Sequence, residues 1–250
     1  MTGDDHVLAR DLAGQAGQRL LELRAQGGDP DVLRKAGDRL SHEFLTAALA
    51  GQRPGDVVLS EEGADNPARL GARRVWIVDP LDGTREFGEP GRTDWAVHVA
   101  LWEQGDLTAG AVALPAQDTV LSTLEPPAGP GPASAAAPLR IVVSRSRPPS
   151  FVRNISGLIN AELVPLGSAG AKVAAVIRGE VDAYVHGGGF YEWDTAAPVA
   201  VARAAGLHAS RIDGSALAYN QPDLLMPDIL VCRPALAGVL LQAIREIKET

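Results

Sequence analysis

Trp76-Ile77-Val78-Asp79-Pro80-Leu81-Asp82-Gly83-Thr84-Arg85-Glu86-Phe87 is the stretch from which the rest of the chain is read. The apolar run 75–78 predicts a buried strand. Pro80 has no N–H to give to a ladder, so the strand is expected to stop at Asp79. Asp79 and Asp82 then stand at its C-terminal end, the edge at which open α/β sheets bind ligands. Gly83 lets the backbone approach a ligand closely, and Thr84 offers a hydroxyl. Carboxylates with a backbone carbonyl and a hydroxyl make a hard-oxygen site, suited to Mg²⁺ holding a phosphate. Asp-Gly by itself is also a common turn dipeptide. The reading therefore rests on the whole string and on the acidic residues placed elsewhere in the chain.

Composition narrows the choice. The 250 residues are 46% hydrophobic, enough for a sizeable core, but only 4% aromatic, so Ala, Val and Leu must fill it. A net charge of −8 argues against a nucleic-acid surface, which needs a basic field. It leaves small anionic substrates open, because a bound divalent ion reverses the local field. The single Cys232 makes no internal disulfide and no four-Cys zinc site. Met1 to His6 is polar and acidic, unlike a secretory signal, and no apolar run approaches about 18 residues. A cytoplasmic protein without a membrane span is the expectation. The five His show no metal or triad spacing, and there is no GxSxG elbow.

Outward from the organising stretch, residues 4–26 carry Val7, Leu8, Leu12, Leu20, Leu21 and Leu23 at helical spacing, ending at Gly27-Gly28. Asp29-Pro30 opens a second helix that closes at Gly51, with Asp38 near its start. Strands are expected at 57–59, 94–102, 107–114, 118–124, 139–143, 162–166 and 229–232, and helices at 150–160, through Ile177, at 195–205 and at 234–248. The Pro-, Ala- and Gly-rich segment 125–138 divides the chain into an N-terminal α+β half (1–124) and a C-terminal α/β half (139–250). Arg145 and Arg147 end a strand, where they can meet a phosphate or stay surface charges. Gly167-Ser168-Ala169-Gly170-Ala171-Lys172 opens a helix with exposed N–H groups. Asp182 is a turn or strand-end residue. Gly187-Gly188-Gly189 is a flexible loop able to close near a ligand. Asp194 is placed as an N-cap, and Cys232 as an inert core residue.

Asp79-Pro80-Leu81-Asp82-Gly83-Thr84 resembles the DPxDGT motif of the lithium-sensitive, Mg²⁺-dependent phosphatases of the inositol monophosphatase superfamily. Ser60-Glu61-Glu62 lies upstream and Glu192-Trp193-Asp194-Thr195-Ala196-Ala197 downstream; the latter is similar to the family's WDxAA. Arg85-Glu86-Phe87 looks like the KEF form of 3′-phosphoadenosine 5′-phosphate phosphatases. The resemblance covers nearly the whole chain and is nearest to the CysQ-type enzymes of actinobacteria. It implies an α/β (α+β) chain in a layered α/β/α/β/α sugar-phosphatase-like fold with two mixed sheets.

By the same resemblance, Glu61, Asp79, Asp82, Asp194 and the Leu81 carbonyl are the metal ligands, for two or three Mg²⁺ ions. Asp38, Thr84 and Glu61 are the catalytic candidates, Thr84 and Asp38 orienting the attacking water. Asp38 lacks the Thr that precedes it in the family, and Gly37 stands for Ala. Gly83, Thr84, Arg85, Gly167, Ser168, Lys172 and Glu192 are the substrate-binding candidates. The implied reaction is hydrolysis of 3′-phosphoadenosine 5′-phosphate to AMP and phosphate, in sulfur assimilation, with inhibition by Li⁺. Activity on inositol phosphates or fructose 1,6-bisphosphate is the alternative, and a non-catalytic metal and nucleotide binding module a remote one. The partners expected are a small phosphorylated nucleotide or sugar and, in a homodimer, a second copy of the chain.

Overall fold

The computed structural model describes residues 2–131 and 138–248. It opens with two long helices, α1 (Thr2–Ala25) and α2 (Pro30–Gln52). Asp29 caps α2 by accepting from Asp31 N and Val32 N, and Pro30 takes the first helical position. With the start fixed there, Asp38 lies in the third turn of the helix.

Five strands follow as one sheet in chain order: β1 (Val57–Ser60), β2 (Arg74–Asp82), β3 (Ala96–Glu103), β4 (Asp106–Leu114) and β5 (Thr119–Ser122). β1 is parallel to β2 and the other pairs are antiparallel. The strand does not stop at Asp79 as Pro80 suggests; it runs on to Asp82. β1 ends opposite Val78, and the register with β3 shifts between Asp79 and Asp82. Pro80 thus sits in a bulge, where its missing N–H costs no ladder bond. A short helix, α3 (Thr84–Gly88), leaves from this bulge.

The second sheet is built from β6 (Arg140–Ser144), β7 (Glu162–Leu166), β8 (Ala183–His186), β10 (His208–Ser210) and β12 (Ile229–Cys232), in the order β10-β12-β8-β6-β7. β6, β7 and β8 run parallel, and β12 is antiparallel to β8 and to β10. β9 (Phe190–Tyr191) and β11 (Leu225–Met226) form a separate two-stranded ribbon. Helices α4 (Ser150–Leu158), α5 (Ala169–Ile177), α6 (Glu192–Ala204) and α7 (Ala237–Lys248) complete the fold.

Period-two alternation along the strands sorts the side chains into three cores. Trp76 and Val78 of β2 and Val97, Val99 and Leu101 of β3 pack on α1 and α2. Val75 and Ile77 face the other way, onto α5 and α6, which also carry Val142, Tyr184 and Val231 of the second sheet. Ile141, Val143, Val185, Leu230 and Cys232 turn to the far side, against α4 and α7. The order is therefore helix, sheet, helix, sheet, helix. A helical layer pressed between two sheets has room mainly for small side chains, which accounts for the Ala run in α6 and the scarcity of aromatics. Residues 132–137 of the 125–138 connection lie outside the described residues. On its described side, Arg233 of the C-terminal half donates to the Gly131 carbonyl.

Candidate active site

The C-terminal ends of β1 and β2 and the first turns of α5 and α6 face a cleft of about 560 Å³. Asp79 and Asp82 bracket the β2 bulge, which turns both toward one point, and Asp194 enters from α6. One oxygen from each lies within 4.8 Å of the others. Each carboxylate is aimed by a backbone N–H. Leu81 N donates to Asp79 (3.0 Å), Gly170 N to Asp82 (2.6 Å) and Tyr191 N to Asp194 (2.6 Å). Asp194 is not the N-cap: α6 starts two residues earlier, so Tyr191 caps it, and Asp194 is the N3 carboxylate that reaches back to the cap.

Glu61 follows β1 and joins the group. The residue is exposed, but its carboxyl meets Asp79, and its pKa is pushed up to about 7. Desolvation is the main cause; the hydrogen bond with Asp79 opposes it, and the charges of Asp194, Asp82 and Glu62 add to it. Asp79 is raised well above the usual range by burial, then by Glu61, Asp82 and Asp194. Asp194 rises to about 6 through burial and the Asp82 charge. Asp82 goes the other way. Its burial is outweighed by His98, by the Lys172 charge and by the Ser168 hydroxyl. Four acids thus converge with more negative charge than the neighbouring cations neutralise. The donors are all oxygen, and the Leu81 carbonyl, which accepts from Thr84 Oγ1 at 3.0 Å, keeps a second lone pair. This donor set fits a hard divalent cation.

Thr84 opens α3 immediately after Gly83. Gly83 has φ +85°, and a Cβ there would stand 3.1 Å from Ser168 Cβ and 3.3 Å from the Asp94 carbonyl, so only glycine makes this turn. Thr84 Oγ1 also lies 3.2 Å from Asp38 Oδ1. A hydroxyl has one proton and here two acceptors, so it serves Leu81 O or Asp38 at any moment. The Asp38 pKa is raised to about 6 by desolvation and by the Glu62 charge, with the Thr84 bond opposing.

Ser168 holds a strained backbone, φ +44°. Its hydroxyl donates to Asp82 Oδ2 (2.5 Å) and accepts from Ala171 N (2.9 Å), which compensates the strain. Lys172 is buried; its Nζ donates to the Gly167 and Ser168 carbonyls (3.1 and 2.7 Å), and desolvation lowers its pKa. Gly167 is pinned by donation of its N–H to Asp94 (2.6 Å). Ser168 and Lys172 line the cleft, as do Arg147, Phe151, Tyr184, His186, Gly187–Gly189 and Tyr191. His186 Nδ1 accepts from Gly188 N. Its pKa falls to about 4, first through burial and then through the charges of Lys172 and Arg147. The ring is therefore neutral, with its proton on Nε2.

Arg85, Glu192 and Arg145 do not line the cleft. Arg85 is exposed and does not line the cleft, because the first turn of α3 carries it outward. Glu192 is fully buried, and both its oxygens are taken by Asn220 N (2.7 Å) and Gln221 N (2.8 Å). Arg145 is committed to Glu86 (2.7 Å) and Glu89 (2.9 Å), leaving Arg147 as the arginine of that pair facing the cleft. One buried residue escapes sequence reasoning altogether. His98, on β3, reaches Asp82 and the Trp193 carbonyl, and nothing in its local spacing marks it.

The sequence matches the inositol monophosphatase family model over residues 8–249. It is 50% identical over 263 residues to the 3'-phosphoadenosine 5'-phosphate phosphatase of Mycobacterium leprae (strain TN), covering 97% of this chain and 94% of the relative. The 3'(2'),5'-bisphosphate nucleotidase CysQ of Escherichia coli (strain K12) is 31% identical over 228 residues, with 84% and 91% covered. Among solved structures, CysQ from Bacteroides thetaiotaomicron superposes with a TM-score of 0.79 at 30% identity, over 92% of this chain and 97% of that one.

Proposed function

The chain belongs to the inositol monophosphatase family, and from that membership we propose that it is a Mg²⁺-dependent phosphatase converting 3′-phosphoadenosine 5′-phosphate to AMP and phosphate. The observation that carries the chemistry is the convergence of Asp79, Asp82 and Asp194 beside the Thr84–Asp38 pair. The substrate follows from the relatives' activity and from the cleft. Phe151, Tyr184, His186 and Tyr191 line the cleft, an aromatic wall suited to a purine. Arg147 supplies a planar cation for a second phosphate.

Two or three Mg²⁺ ions, held by Glu61, Asp79, Asp82, Asp194 and the Leu81 carbonyl, would neutralise phosphate charge and lower the pKa of the attacking water. The Thr84 hydroxyl holds that water. As its oxygen bonds to phosphorus, its proton passes to Thr84 Oγ1, and the Thr84 proton passes to Asp38. The raised Asp38 pKa makes it a better proton acceptor than an ordinary Asp. The bond from phosphorus to the ribose 3′-oxygen breaks, and that oxygen takes a proton from solvent. In this reading the backbone N–H groups of Gly83 and Thr84 would donate to the phosphate oxygens. This reading places the protein in the cytoplasm, removing a by-product of sulfate assimilation, and includes inhibition by Li⁺. Among the described residues, no helix is long and apolar enough to cross a membrane.

Phosphate release with Mg²⁺ from 3′-phosphoadenosine 5′-phosphate, inositol 1-phosphate and fructose 1,6-bisphosphate tests the proposal. The nucleotide is expected to give much the largest kcat/KM, abolished by a chelator. Preference for either sugar phosphate would overturn the substrate assignment and keep the metal chemistry. Silence on all three would overturn both.

A further inference from the structure

We propose that His98 is a positioning residue of this site, setting the carboxylates of β2 against that of α6 so that the cation site is formed before the cation arrives. The proposal rests on the reading of the acid cluster as a metal site.

His98 is the third residue of β3, directly opposite Asp79 in the β2–β3 register, and no part of it is exposed. Its Nδ1 is 3.1 Å from the Trp193 carbonyl. A carbonyl only accepts, so Nδ1 carries a proton and donates it there. Trp193 is the residue before Asp194, so this bond fixes the first turn of α6. On the other side of the ring, Nε2 stands 3.2 Å from Asp82 Oδ2, off the line of a well-formed hydrogen bond. Asp79 Oδ2 is 4.0 Å from Nδ1. One imidazole therefore lies beside both acids of β2 and bonds the backbone next to the acid of α6.

The helix α5 is shaped to admit that ring. A Cβ on Gly170 would lie 2.1 Å from His98 Nε2, and Gly170 N donates to the same Asp82 oxygen that His98 faces. Ser168 Oγ is the third group on Oδ2. Ser168 Oγ and Gly170 N hold Oδ2 by hydrogen bonds and the His98 ring is set against it, so Asp82 is fixed and Oδ1 is the oxygen left for the cleft. The ring makes its one hydrogen bond, to the Trp193 carbonyl, at the point where β2, β3, α5 and α6 meet. Partners that orient metal ligands from behind typically change metal affinity about 10–100-fold when removed.

The test is Mn²⁺ affinity without substrate, read from the free-ion electron paramagnetic resonance signal, with the unfolding temperature in chelator as the folding control. His98→Ala is expected to raise the Mn²⁺ Kd about tenfold or more, and His98→Asn, which keeps a donor, to recover part of it. Gly170→Ala drives a methyl into Nε2 and is expected to weaken Mn²⁺ comparably in the native background. In the His98→Ala background the methyl finds the vacated space, so it should add little. A purely structural His98 would lower the unfolding temperature and leave the Kd alone. An unchanged Kd in folded His98→Ala would overturn the proposal, as would an equal cost of Gly170→Ala in both backgrounds. Should His98→Ala not fold, unchanged Kd values in His98→Asn and Gly170→Ala overturn it. Absence of Mn²⁺ binding by the unaltered protein would defeat the metal reading itself, and this proposal with it.

Discussion

Replacing Glu192 separates a substrate contact from a structural latch. The motif around Glu192 suggests that it touches substrate; its oxygens instead accept from Asn220 N and Gln221 N. Asn220 continues the chain of contacts, accepting from Arg69 Nη1 at 2.9 Å and donating to the Arg69 carbonyl at 3.0 Å. Arg69, 1% exposed, pairs with Asp65 at 2.7 Å. The pKa of Glu192 is raised by burial, with the two N–H groups and the Arg69 charge opposing. Each buried N–H left without an acceptor costs about 1–3 kcal/mol. Glu192→Ala orphans two, one of them partly wet, so the loss should be about 2–4 kcal/mol. Glu192→Gln keeps one acceptor and should lose about half of that. With a urea slope of about 2–3 kcal/mol/M, the midpoint for Glu192→Ala falls by about 1 M. At a temperature where the variants remain folded, KM and kcat should match the unaltered enzyme. A midpoint left in place together with a raised KM would refute the latch and return Glu192 to the substrate.

Thr84→Ala should cut kcat by about 10²–10⁴-fold, the range for a lost proton relay, with KM nearly constant; Thr84→Ser should restore most of it, and full activity in Thr84→Ala would exclude the relay. The raised pKa values of Glu61 (about 7), Asp194 and Asp38 (about 6 each) have a stability consequence. Between pH ~4 and ~7 the folded cluster keeps protons that the unfolded chain has released, so stability of the cation-free protein falls as pH rises through that window. The Tm in chelator should therefore drop from pH 5 to pH 8, and saturating Mg²⁺ should raise it at pH 8 and flatten the trend; a Tm that climbs in chelator contradicts the cluster's electrostatics. Arg147→Ala should lower kcat/KM on 3′-phosphoadenosine 5′-phosphate about tenfold, the ~1.4 kcal/mol of one charge-assisted contact, and leave adenosine 3′-monophosphate nearly unaffected. Equal losses on the two nucleotides would remove Arg147 from the second-phosphate role.

Local patterns made much of this legible. An apolar strand ending in two acids and a glycine, and an acid in the first turn of an Ala-rich helix, are short-range signals that survive folding unchanged. Elements β6, β7, α4 and α5 fall within a few residues of where periodicity puts them. What escaped was decided by tertiary contact. Pro80 belongs to a strand because β1 happens to end opposite Val78. Glu192 turns away from the cleft because a loop 28 residues later presents two N–H groups. His98 gains its place from partners on three other elements, and no window of sequence around it contains them.

The helical layer of α5 and α6 has a consequence for how the molecule comes apart. Its apolar faces belong at once to the sheet of β1–β5 and to the sheet that includes β6, β8 and β12. Cutting the 125–138 connection would therefore not release two self-sufficient pieces. The N-terminal fragment would expose Val75, Ile77, Ala100 and Val112 to water along an open sheet face, and the C-terminal fragment would expose the opposite side of two helices. A nicked chain should stay together as a noncovalent complementation pair, and its halves, made separately, should be sticky alone and regain cation binding only when mixed.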